Sequence, residues 1–475
     1  MDAFDHYADE IVGRAWQAAE QFRQFDQERT DRVVDAIFEA AWEHRHHLAR
    51  LAIEETGMGV FEHKVLKNAY ATLLVYEDIR RRPTVGVISH DPATGISEIA
   101  QPKGPILATI PVTNPTSTTI FKALIAAKTR NPVIVSPHRA ARRSIGETVG
   151  ILAAAAERAG APAGSLQCLR RIQTGQVERL MRHRWLALIL ATGTSAVVRL
   201  AQASGTPTLG VGPGNVPVYV HGSADLPFAA RSIVFSKSFD NGTICGSEQA
   251  LVVEHDVDHR LRPMLEAEGV YFCDAPQARA LEAACFDAEQ SRMRAEIVGQ
   301  AASVVASRAG FGVPPGTLVL AAEQGGVGPD HPLSHEILAP VLAYYRVSGY
   351  AEALATCEAL NLWGGVGHTV AVYANDDEVI SDFGKMNAAR ILVNHPSSQG
   401  AIGGIFNTLR PSLTLACGTG AGNLSTDNIS TDHLLNIHRV ARRRPNHCWL
   451  DTARGRSVDP AVTASDIRAI YHKNY

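Results

Sequence analysis

The sequence predicts an α/β protein with two wound parallel sheets and a separate β-hairpin. Short strands that are apolar throughout alternate with helices along most of the chain, a pattern typical of parallel sheets with helices on both faces. One alternating set begins near Pro105, and a second begins after Gly214. The turn-forming segment Asp91-Pro-Ala-Thr-Gly95 lies between two β-rich runs outside both sets, which indicates a hairpin.

Helices are expected before the hairpin. Apolar residues recur at helical spacing on one face of the first segment, at Val12, Ala15, Ala19 and Phe22. Further helices are predicted from about residue 28 to 53, from about residue 62 to 81 and, near the other end of the chain, from Ala464 to Tyr471. The hairpin strands are predicted at 84–90 and 96–101.

The two alternating sets define the expected sheets. In the first set, helices are predicted at 117–127 and 144–159, the second ending before Gly160 and Pro162. Its strands are predicted at 106–110, 133–136 and 186–191. The strands of the second set are predicted at 218–220, just past Pro217, and at 251–253, 317–320, 342–346, 369–373 and 390–393.

Composition excludes several classes of protein. The formal net charge of -3 on 475 residues gives no basic field for nucleic acid or an anionic membrane. No apolar run reaches the length of a membrane span, and the first residues lack the apolar core of a secretory signal. The seven cysteines contain no Cys-x-x-Cys pair, which favours reduced thiols and a cytoplasmic location. The histidines at 44, 46 and 47 are expected at a solvated helix end, so no metal site is predicted.

One cysteine follows a turn. In FDNGTICGSEQ (239–249), Cys245 comes just after Asp240-Asn-Gly242. If a helix began there, its dipole and N–H groups would favour the thiolate, the form that attacks carbonyl carbons. The residues alone leave two interpretations open, a nucleophile or a buried, inert thiol.

Three other segments carry possible chemistry. In TNPTSTTIFKAL (113–124), the Asn114 amide could stabilise an oxyanion, or the residue could simply form a turn. The glycines of GVGPGN (210–215) could cradle a phosphate or link domains, since their spacing is not that of a dinucleotide fingerprint. In HEILAP (335–340), Glu336 could hold a ribose diol or cap a strand.

Taken together and in order, these motifs resemble the aldehyde dehydrogenase superfamily. The chain is similar to its acylating, CoA-dependent branch, which includes the aldehyde dehydrogenase half of bifunctional alcohol–aldehyde dehydrogenases and the ethanolamine- and propanediol-utilisation enzymes. The resemblance covers roughly residues 5 to 440. Besides the four segments above, it rests on EETGMG (54–59), KTRNPVIVSPH (128–138), LATGT (190–194), GGVGHT (364–369) and PSLTLACGTGAGN (411–423).

The resemblance implies a role for each segment. Cys245 matches the nucleophile, and Asn114 the amide that forms the oxyanion hole with the Cys245 N–H. Glu336 matches the acid that binds the nicotinamide ribose. The implied cofactor contacts also include the adenosine-side stretch Ser136, Pro137 and His138, the helix-opening Thr192, Gly193 and Thr194, and Gly212. His368, in the GHT element, is interpreted as a substrate-positioning or a structural residue, and Arg410 as a possible partner for an anionic substrate.

One departure from hydrolytic relatives indicates the acyl acceptor. Those enzymes carry a glutamate, in an E-L-G-G-K element, that activates water, whereas the matching stretch here, 210–214, has no carboxylate. A thiol needs less help than water, because its pKa is near 8.5. We therefore expect NAD or NADP as hydride acceptor and coenzyme A as co-substrate, with a short-chain aldehyde oxidised to acyl-CoA. Sulfoacetaldehyde or a semialdehyde as substrate, a hydrolytic activity and a scaffold or shell-cargo protein with a vestigial site remain alternatives.

The resemblance also implies a domain plan. An aldehyde dehydrogenase-like fold would have a doubly wound cofactor domain at 1–83 and 102–213, and an α/β catalytic domain at 214–423. An oligomerisation hairpin and bridging segment would occupy 84–101 and about 424–450, followed by an accessory tail at 451–475. The expected assembly is a homo-oligomer, and the tail could dock the enzyme in a multi-enzyme complex or a bacterial microcompartment.

Overall fold

The computed structural model describes residues 3–170, 175–287, 289, 292–364, 366–443 and 459–474. In these ranges no helix has the length and apolar character needed to cross a membrane. The helices are α1 Ala3–Phe22, α2 Gln27–Glu43, α3 Arg45–Thr56, α4 Phe61–Ala69, α5 Val75–Ile79, α6 Pro115–Lys128, α7 Arg142–Arg158, α8 Gln176–Met181, α9 Ser195–Gln202, α10 Leu226–Ser238, α11 His255–Ala267, α12 Ala275–Cys285, α13 Ala302–Arg308, α14 Tyr350–Gly364, α15 Asp377–Phe383, α16 Ser397–Ile402 and α17 Ala464–Asn474.

The strands follow the predicted alternation. They are β1 Gly86–Asp91, β2 Ile96–Pro102, β3 Ile106–Ile110, β4 Val133–Pro137, β5 Leu166–Cys168, β6 Leu188–Thr192, β7 Thr208–Val211, β8 Val216–Val220, β9 Glu248–Glu254, β10 Val270–Phe272, β11 Phe286–Asp287, β12 Arg292–Met293, β13 Val319–Glu323, β14 Val341–Val347, β15 Gly367–Tyr373, β16 Ala388–Val393 and β17 Leu435–Ala441.

The first sheet has five parallel strands in the order β5-β4-β3-β6-β7. Ile106 at the start of central β3 is level with Val133 on one side and Leu188 on the other. β3 is buried along its whole length, since helices cover the sheet. Because chain order reverses between β3 and β6, their carboxyl ends leave a crevice there, the usual ligand position in such sheets.

The second sheet has seven parallel strands in the order β10-β13-β14-β9-β8-β15-β16. β8 begins at Val216, one residue before Pro217, and its register with β9 shifts at that point. Proline has no N–H for the ladder, so a strand tolerates it at an end or a bulge. This explains why the strand begins slightly earlier than predicted.

The predicted hairpin forms, but it is not two-stranded. β1 and β2 pair antiparallel, and β17 adds to the free side of β2, from Leu435 opposite Pro102 to Ala441 opposite Ile96. The hairpin and the predicted bridging segment therefore form one sheet. The hairpin's partner comes from the stretch predicted only as a bridging segment, more than 300 residues away along the chain.

Two predicted helices differ in detail. The helix predicted at 28–53 is two helices that meet at His44, whose backbone (φ -90°, ψ 4°) caps the first. The helix predicted at 62–81 contains a π-helical segment, Tyr70–Leu74, between α4 and α5. In the tail, α17 occupies the predicted place, while most of the preceding stretch lies outside the described residues.

Candidate active site

The predicted site residues of the first half gather at one edge of the first sheet. Asn114 follows β3, Ser136 and Pro137 end β4 just before His138, and Thr192 ends β6 just before Gly193 and Thr194. Because these strands are parallel and adjacent, their carboxyl ends share that edge. The loop after β7 then carries the chain from this edge into the second sheet.

Cys245 lies in a turn between a 3₁₀ segment, Phe239–Gly242, and strand β9. Asp240 and Asn241 take left-handed backbone conformations (φ 51° and 53°), which fold this turn tightly. No helix begins at Cys245, so the expected activation by a helix dipole was wrong. Burial and the charge of Glu336 raise the pKa of the Cys245 thiol to about 12, so the ligand-free protein holds a thiol and not a thiolate.

The loop after β7 passes directly over Cys245. A β-carbon on Gly214 would lie 2.2 Å from the Cys245 carbonyl oxygen and 3.0 Å from the His368 ring. The Gly214 N–H donates to Glu336 Oε1 at 2.9 Å. Only glycine permits this approach, which brings Cys245, Glu336 and His368 around one backbone position.

His368 is buried on β15 and has one open nitrogen. Its Nδ1 lies 2.9 Å from Thr369 Oγ1, whereas Nε2 has no hydrogen-bond partner in the described part of the chain. Burial and the nearby Arg390 lower the pKa of His368 to about 3, so the imidazole is neutral. A neutral ring with an unused nitrogen is suited to hydrogen bonding with a ligand.

Asn114 contacts the segment that carries Cys245. Its Nδ2 donates to the Thr243 carbonyl at 3.2 Å, two residues before the cysteine. Its Oδ1 accepts a 2.6 Å hydrogen bond from the Lys67 ammonium. The structure therefore brings Asn114 to the cysteine loop, as the resemblance requires, and adds a lysine that the sequence analysis did not consider.

Glu336 is a half-buried carboxylate with a raised pKa. Burial raises its pKa to about 7, and the Gly214 N–H and Lys237 partly oppose this shift. The Lys237 ammonium is itself buried and donates to Gln249 Oε1 and the Ile337 carbonyl, at 3.2 and 3.3 Å. Glu336 can therefore exist in either protonation state near neutral pH.

A cavity of 430 Å³ joins the two sheets. It is bordered by the start of α9 at Ser195, by Gly212, and by Trp363 and Cys417 from the second half of the chain. Thr194 caps α9 without a side-chain hydrogen bond, so the first N–H groups of the helix have no side-chain cap. Helix N–H groups facing a cleft are suited to binding phosphate oxygens.

Two other groups of predicted cofactor residues, the adenosine-side stretch 136–138 and the glycine stretch 210–215, lie partly in strands. Ser136 and Pro137 end β4, and His138 Nδ1 accepts from the Ala140 N–H as the cap of a 3₁₀ turn. Gly210, read as part of a phosphate loop, lies instead in edge strand β7 and donates to Asn423 Oδ1 at 2.9 Å. A β-carbon there would lie 2.6 Å from Val198 Cγ1, so this position has no room for the glutamate of hydrolytic relatives.

The two carboxylates nearest Cys245 in sequence are already engaged. Asp240 is fully buried against Lys64 and Lys67, which keep its pKa at about 2. Glu248 accepts from the Ser236 hydroxyl at 2.5 Å and from the Ser397 N–H at 2.9 Å. Both side chains are inaccessible to solvent, so neither is placed to activate a water molecule.

Arg410 lies apart from these groups, in a second cavity of 560 Å³. Its guanidinium is paired with Asp432 at 2.7 Å. Arg390 borders the same cavity and donates to the His368 carbonyl at 3.0 Å, so it connects the cavity to the strand that carries His368. The role of Arg410 toward an anionic substrate stays a prediction.

Sequence reasoning missed the buried cations around the site. Lys122 donates to the Thr109 and Leu190 carbonyls at 2.9 Å and to Thr192 Oγ1 at 3.0 Å, and burial lowers its pKa to about 7. The others include Lys64, Lys67, Lys237 and Arg390. The available signal was a charge inside an apolar run, as in Ile120-Phe-Lys-Ala-Leu124, since buried charges are rare without a purpose.

Comparison with known proteins identifies the family. The profile of the aldehyde dehydrogenase family matches residues 2–407, and the chain belongs to that family. Its relatives are of the acylating branch. The chain is 41% identical over 419 residues to an aldehyde-alcohol dehydrogenase of Streptococcus pneumoniae, covering 86% of this chain and 48% of the relative. It thus spans about half the length of the curated bifunctional relatives it matches.

Two further relatives match over most of both chains. An acylating sulfoacetaldehyde dehydrogenase of Cupriavidus necator is 36% identical, with 91% of this chain and 88% of the relative covered. The crystal structure of an acetylating aldehyde dehydrogenase from Geobacillus thermoglucosidasius is 41% identical with a TM-score of 0.90, covering 93% of this chain and 98% of the other. The predicted fold and family are confirmed. Among the described residues, no cluster of potential metal ligands is present.

Proposed function

We propose that this chain oxidises a short-chain aldehyde to its acyl-CoA, reversibly, with NAD or NADP as hydride acceptor. The observation that carries this proposal is the Gly210–Gly214 stretch beside Cys245. It holds no carboxylate, and at Gly210 and Gly214 a side chain would collide with Val198 or with the Cys245 carbonyl. A nucleophile without a base for water suits a thiol as acyl acceptor.

The residues of the cleft fit a dinucleotide. The 430 Å³ cavity lies beside the start of α9, where Thr192, Gly193 and Thr194 lead into N–H groups suited to a pyrophosphate. Ser136 and Pro137 at the end of β4, with His138 just after it, lie on the other side of β3, where an adenosine ribose would be held, and Gly212 and Glu336 lie toward Cys245. When bound, the nicotinamide would supply a hydride acceptor beside the thiohemiacetal carbon.

The acylation half-reaction uses Cys245 and Asn114. The thiol must first lose its proton, because the thiolate is the form that attacks a carbonyl carbon. The sulfur then adds to the aldehyde carbonyl, and the oxygen that becomes negative accepts from Asn114 Nδ2 and the Cys245 N–H. Hydride loss from the thiohemiacetal leaves a thioester on Cys245.

The deacylation half-reaction transfers the acyl group to CoA. The CoA thiol attacks the Cys245 thioester, the same oxyanion donors stabilise the tetrahedral adduct, and Cys245 leaves as the thiol. One thioester is exchanged for another, so little free energy is lost and the reaction can run in both directions. We assign to His368 the positioning of the substrate, because its Nε2 has no hydrogen-bond partner among the described residues.

The relatives support a class of aldehyde substrates and do not single out one aldehyde. Acetaldehyde or another short aldehyde is our first choice. Sulfoacetaldehyde or a semialdehyde is the alternative, and an acylating sulfoacetaldehyde dehydrogenase is among the relatives. Arg410, which borders the second cavity, or His368 is the residue that we propose as partner for an anionic aldehyde.

The assembly and domain plan are also part of this proposal. We assign the first sheet to a cofactor domain (1–83 and 102–213) and the second to a catalytic domain (214–423), which is consistent with the strands falling on either side of residues 212–215. We propose a homo-oligomer built through the β1-β2-β17 sheet. The tail remains our candidate for docking in a larger assembly or a microcompartment.

The decisive experiment is a panel of aldehydes assayed by NADH absorbance with and without CoA. We expect sustained NADH formation and acyl-CoA, identified by mass spectrometry, only when CoA is present. Without CoA, we expect at most one equivalent of NADH per Cys245, followed by slow turnover. Sustained formation of free carboxylic acid without CoA would overturn the proposal in favour of a hydrolytic enzyme, and no NADH with any aldehyde would favour a scaffold.

A further inference from the structure

A buried cluster of charges lies directly behind Asn114. Lys64 and Lys67, one turn apart on α4, both direct their ammonium groups at Asp240 Oδ2, with the Lys64 distance at 2.7 Å. All three side chains are at most 2% exposed. Burying charged groups costs free energy. Such a cluster is therefore stable only when its charges pair with one another, and the pairing fixes the arrangement of the neighbouring groups.

The EETGMG motif forms one wall of this cluster. A β-carbon on Gly59 would lie 2.0 Å from Asp240 Oδ1, and the next residue, Val60, donates its N–H to that oxygen at 2.9 Å. His63 Nδ1 accepts from the Asp240 N–H at 2.8 Å. Asp240 is thus held from several sides, and it in turn fixes the two lysines.

The Lys67 ammonium has three acceptors for its three protons. They are Asp240 Oδ2, Thr243 Oγ1 at 2.8 Å and Asn114 Oδ1 at 2.6 Å. The Thr243 hydroxyl donates to Asp240, so its oxygen is free to accept from Lys67. Burial and the neighbouring Lys64 lower the pKa of Lys67 to about 7, while the Asp240 carboxylate opposes this shift. The three acceptors around its nitrogen match the three protons of an ammonium, so this arrangement is that of the protonated form.

An ammonium can only donate, so it can face only the oxygen of the Asn114 amide. With Oδ1 held by Lys67, the NH₂ group must point the other way, where Nδ2 donates to the Thr243 carbonyl of the cysteine loop and to Thr113 Oγ1, both at 3.2 Å. A flipped amide would place two N–H groups against a cation and would present an acceptor to the developing oxyanion. The ammonium also polarises the amide and strengthens its N–H donors.

We infer that Lys67 is a positioning residue for catalysis, which locks the Asn114 amide with Nδ2 facing the oxyanion. This inference rests on the proposed function of Asn114. It assigns to Lys67 an effect on the chemical step that passes entirely through Asn114, with no contact to the substrate.

The test is a double-mutant cycle with Lys67→Met and Asn114→Ala, read in single-turnover NADH formation and in steady state. We expect Lys67→Met to lower kcat by about 10- to 1000-fold, up to the cost of losing one oxyanion donor, with little change in aldehyde KM. In the Asn114→Ala background, Lys67→Met should lower kcat by less than about twofold, because the two residues act as a unit.

Two controls separate positioning from stability. Lys128 is an equally buried lysine at the far end of α6, paired with Asp31, and Lys128→Met should leave kcat within about twofold of wild type. Lys67→Gln keeps most of the packing but can donate or accept, so it should share the kcat defect if Lys67→Met does not fold. Lys64 remains to pair with Asp240 in both variants.

The outcomes are distinct. Multiplicative losses of kcat in the cycle, or an unchanged kcat for Lys67→Met and Lys67→Gln, would overturn the inference while leaving the proposed function intact. A wild-type protein with no CoA-dependent NADH formation would refute the proposed function itself. Circular dichroism and thermal melting of each variant establish that the folded protein is compared.

Discussion

Gly214 and Cys245 are in backbone contact that leaves no space for a side chain. The ideal β-carbon position on Gly214 is 2.2 Å from the Cys245 carbonyl oxygen, far inside van der Waals contact. The same glycine donates its N–H to Glu336. The loop that replaces the base of hydrolytic relatives is therefore also the element that fixes the cysteine turn.

Gly214→Ala should impair catalysis by displacing Cys245. A shift of about 1 Å at a reacting group can cost about a hundredfold in kcat, which is the loss we expect. Overpacking should also lower the free energy of unfolding by about 1–3 kcal/mol. The matched control is Gly146→Ala in α7, where a β-carbon meets nothing within 4 Å and the backbone is helical. Equal kcat for Gly214→Ala and wild type would show that the contact is not needed.

Cys245→Ala should abolish aldehyde oxidation and leave cofactor binding intact. The sulfur forms the covalent bond to the substrate, and loss of a nucleophile costs several orders of magnitude. The measurements are NADH formation with CoA and titration of NAD or NADP by protein fluorescence. Retention of a tenth of wild-type turnover would refute the assignment of Cys245 as nucleophile.

Asn114→Ala should lower the rate of the chemical step by about 10²–10³-fold, as the loss of one oxyanion donor does elsewhere. The effect belongs in kcat, because the donor is needed when the carbonyl oxygen becomes negative. Single-turnover kinetics measure this step directly. A wild-type rate there would mean that the contact of Asn114 with the Thr243 carbonyl is only structural.

Alkylation of Cys245 by iodoacetamide should be slow in the ligand-free protein at neutral pH. Because burial and Glu336 raise the pKa to about 12, the thiolate fraction, and with it the rate, should keep rising through the alkaline range. Subtracting the rate of Cys245→Ala removes the contribution of the other thiols. A rate that levels off at or below the ordinary thiol pKa of about 8.5 would contradict the raised value.

The protein should be a dimer or larger at micromolar concentration. β1 and β17 are the two edges of the three-stranded sheet, their side chains are mostly exposed, and Val87 and Val440 are 61% and 47% exposed. Unprotected strand edges favour pairing with another chain. Light scattering that shows a stable monomer would refute this prediction, and a charge at Val440 (Val440→Lys) should weaken the oligomer if the edge is used.

Local patterns in the sequence were sufficient to predict the alternation of strands and helices, the two sheets and the family. Runs such as Ile106–Ile110 are apolar throughout because both faces of a parallel sheet are covered, and this signal is local. Ordered motifs around Asn114, Cys245 and Glu336 were sufficient to name candidate residues. These motifs were recognised by their order along the chain, which does not depend on how close they lie in the folded protein.

The surroundings of those residues depend on how distant segments of the chain pack together. β7, which includes Gly210 and Val211 of the glycine stretch, is a strand because it pairs with β6. β17 is likewise a strand because it pairs with β2. The local sequence pattern favoured a thiolate at Cys245. Burial beside Glu336 raises the pKa of this residue and outweighs any stabilisation of the thiolate by the turn, so the residue is a thiol. Lys67 and Asn114 are 47 residues apart in the sequence, and no sequence pattern predicts that they are in contact. Burial, charge pairing and edge pairing are properties of the packed molecule, so they are fixed only when distant segments meet.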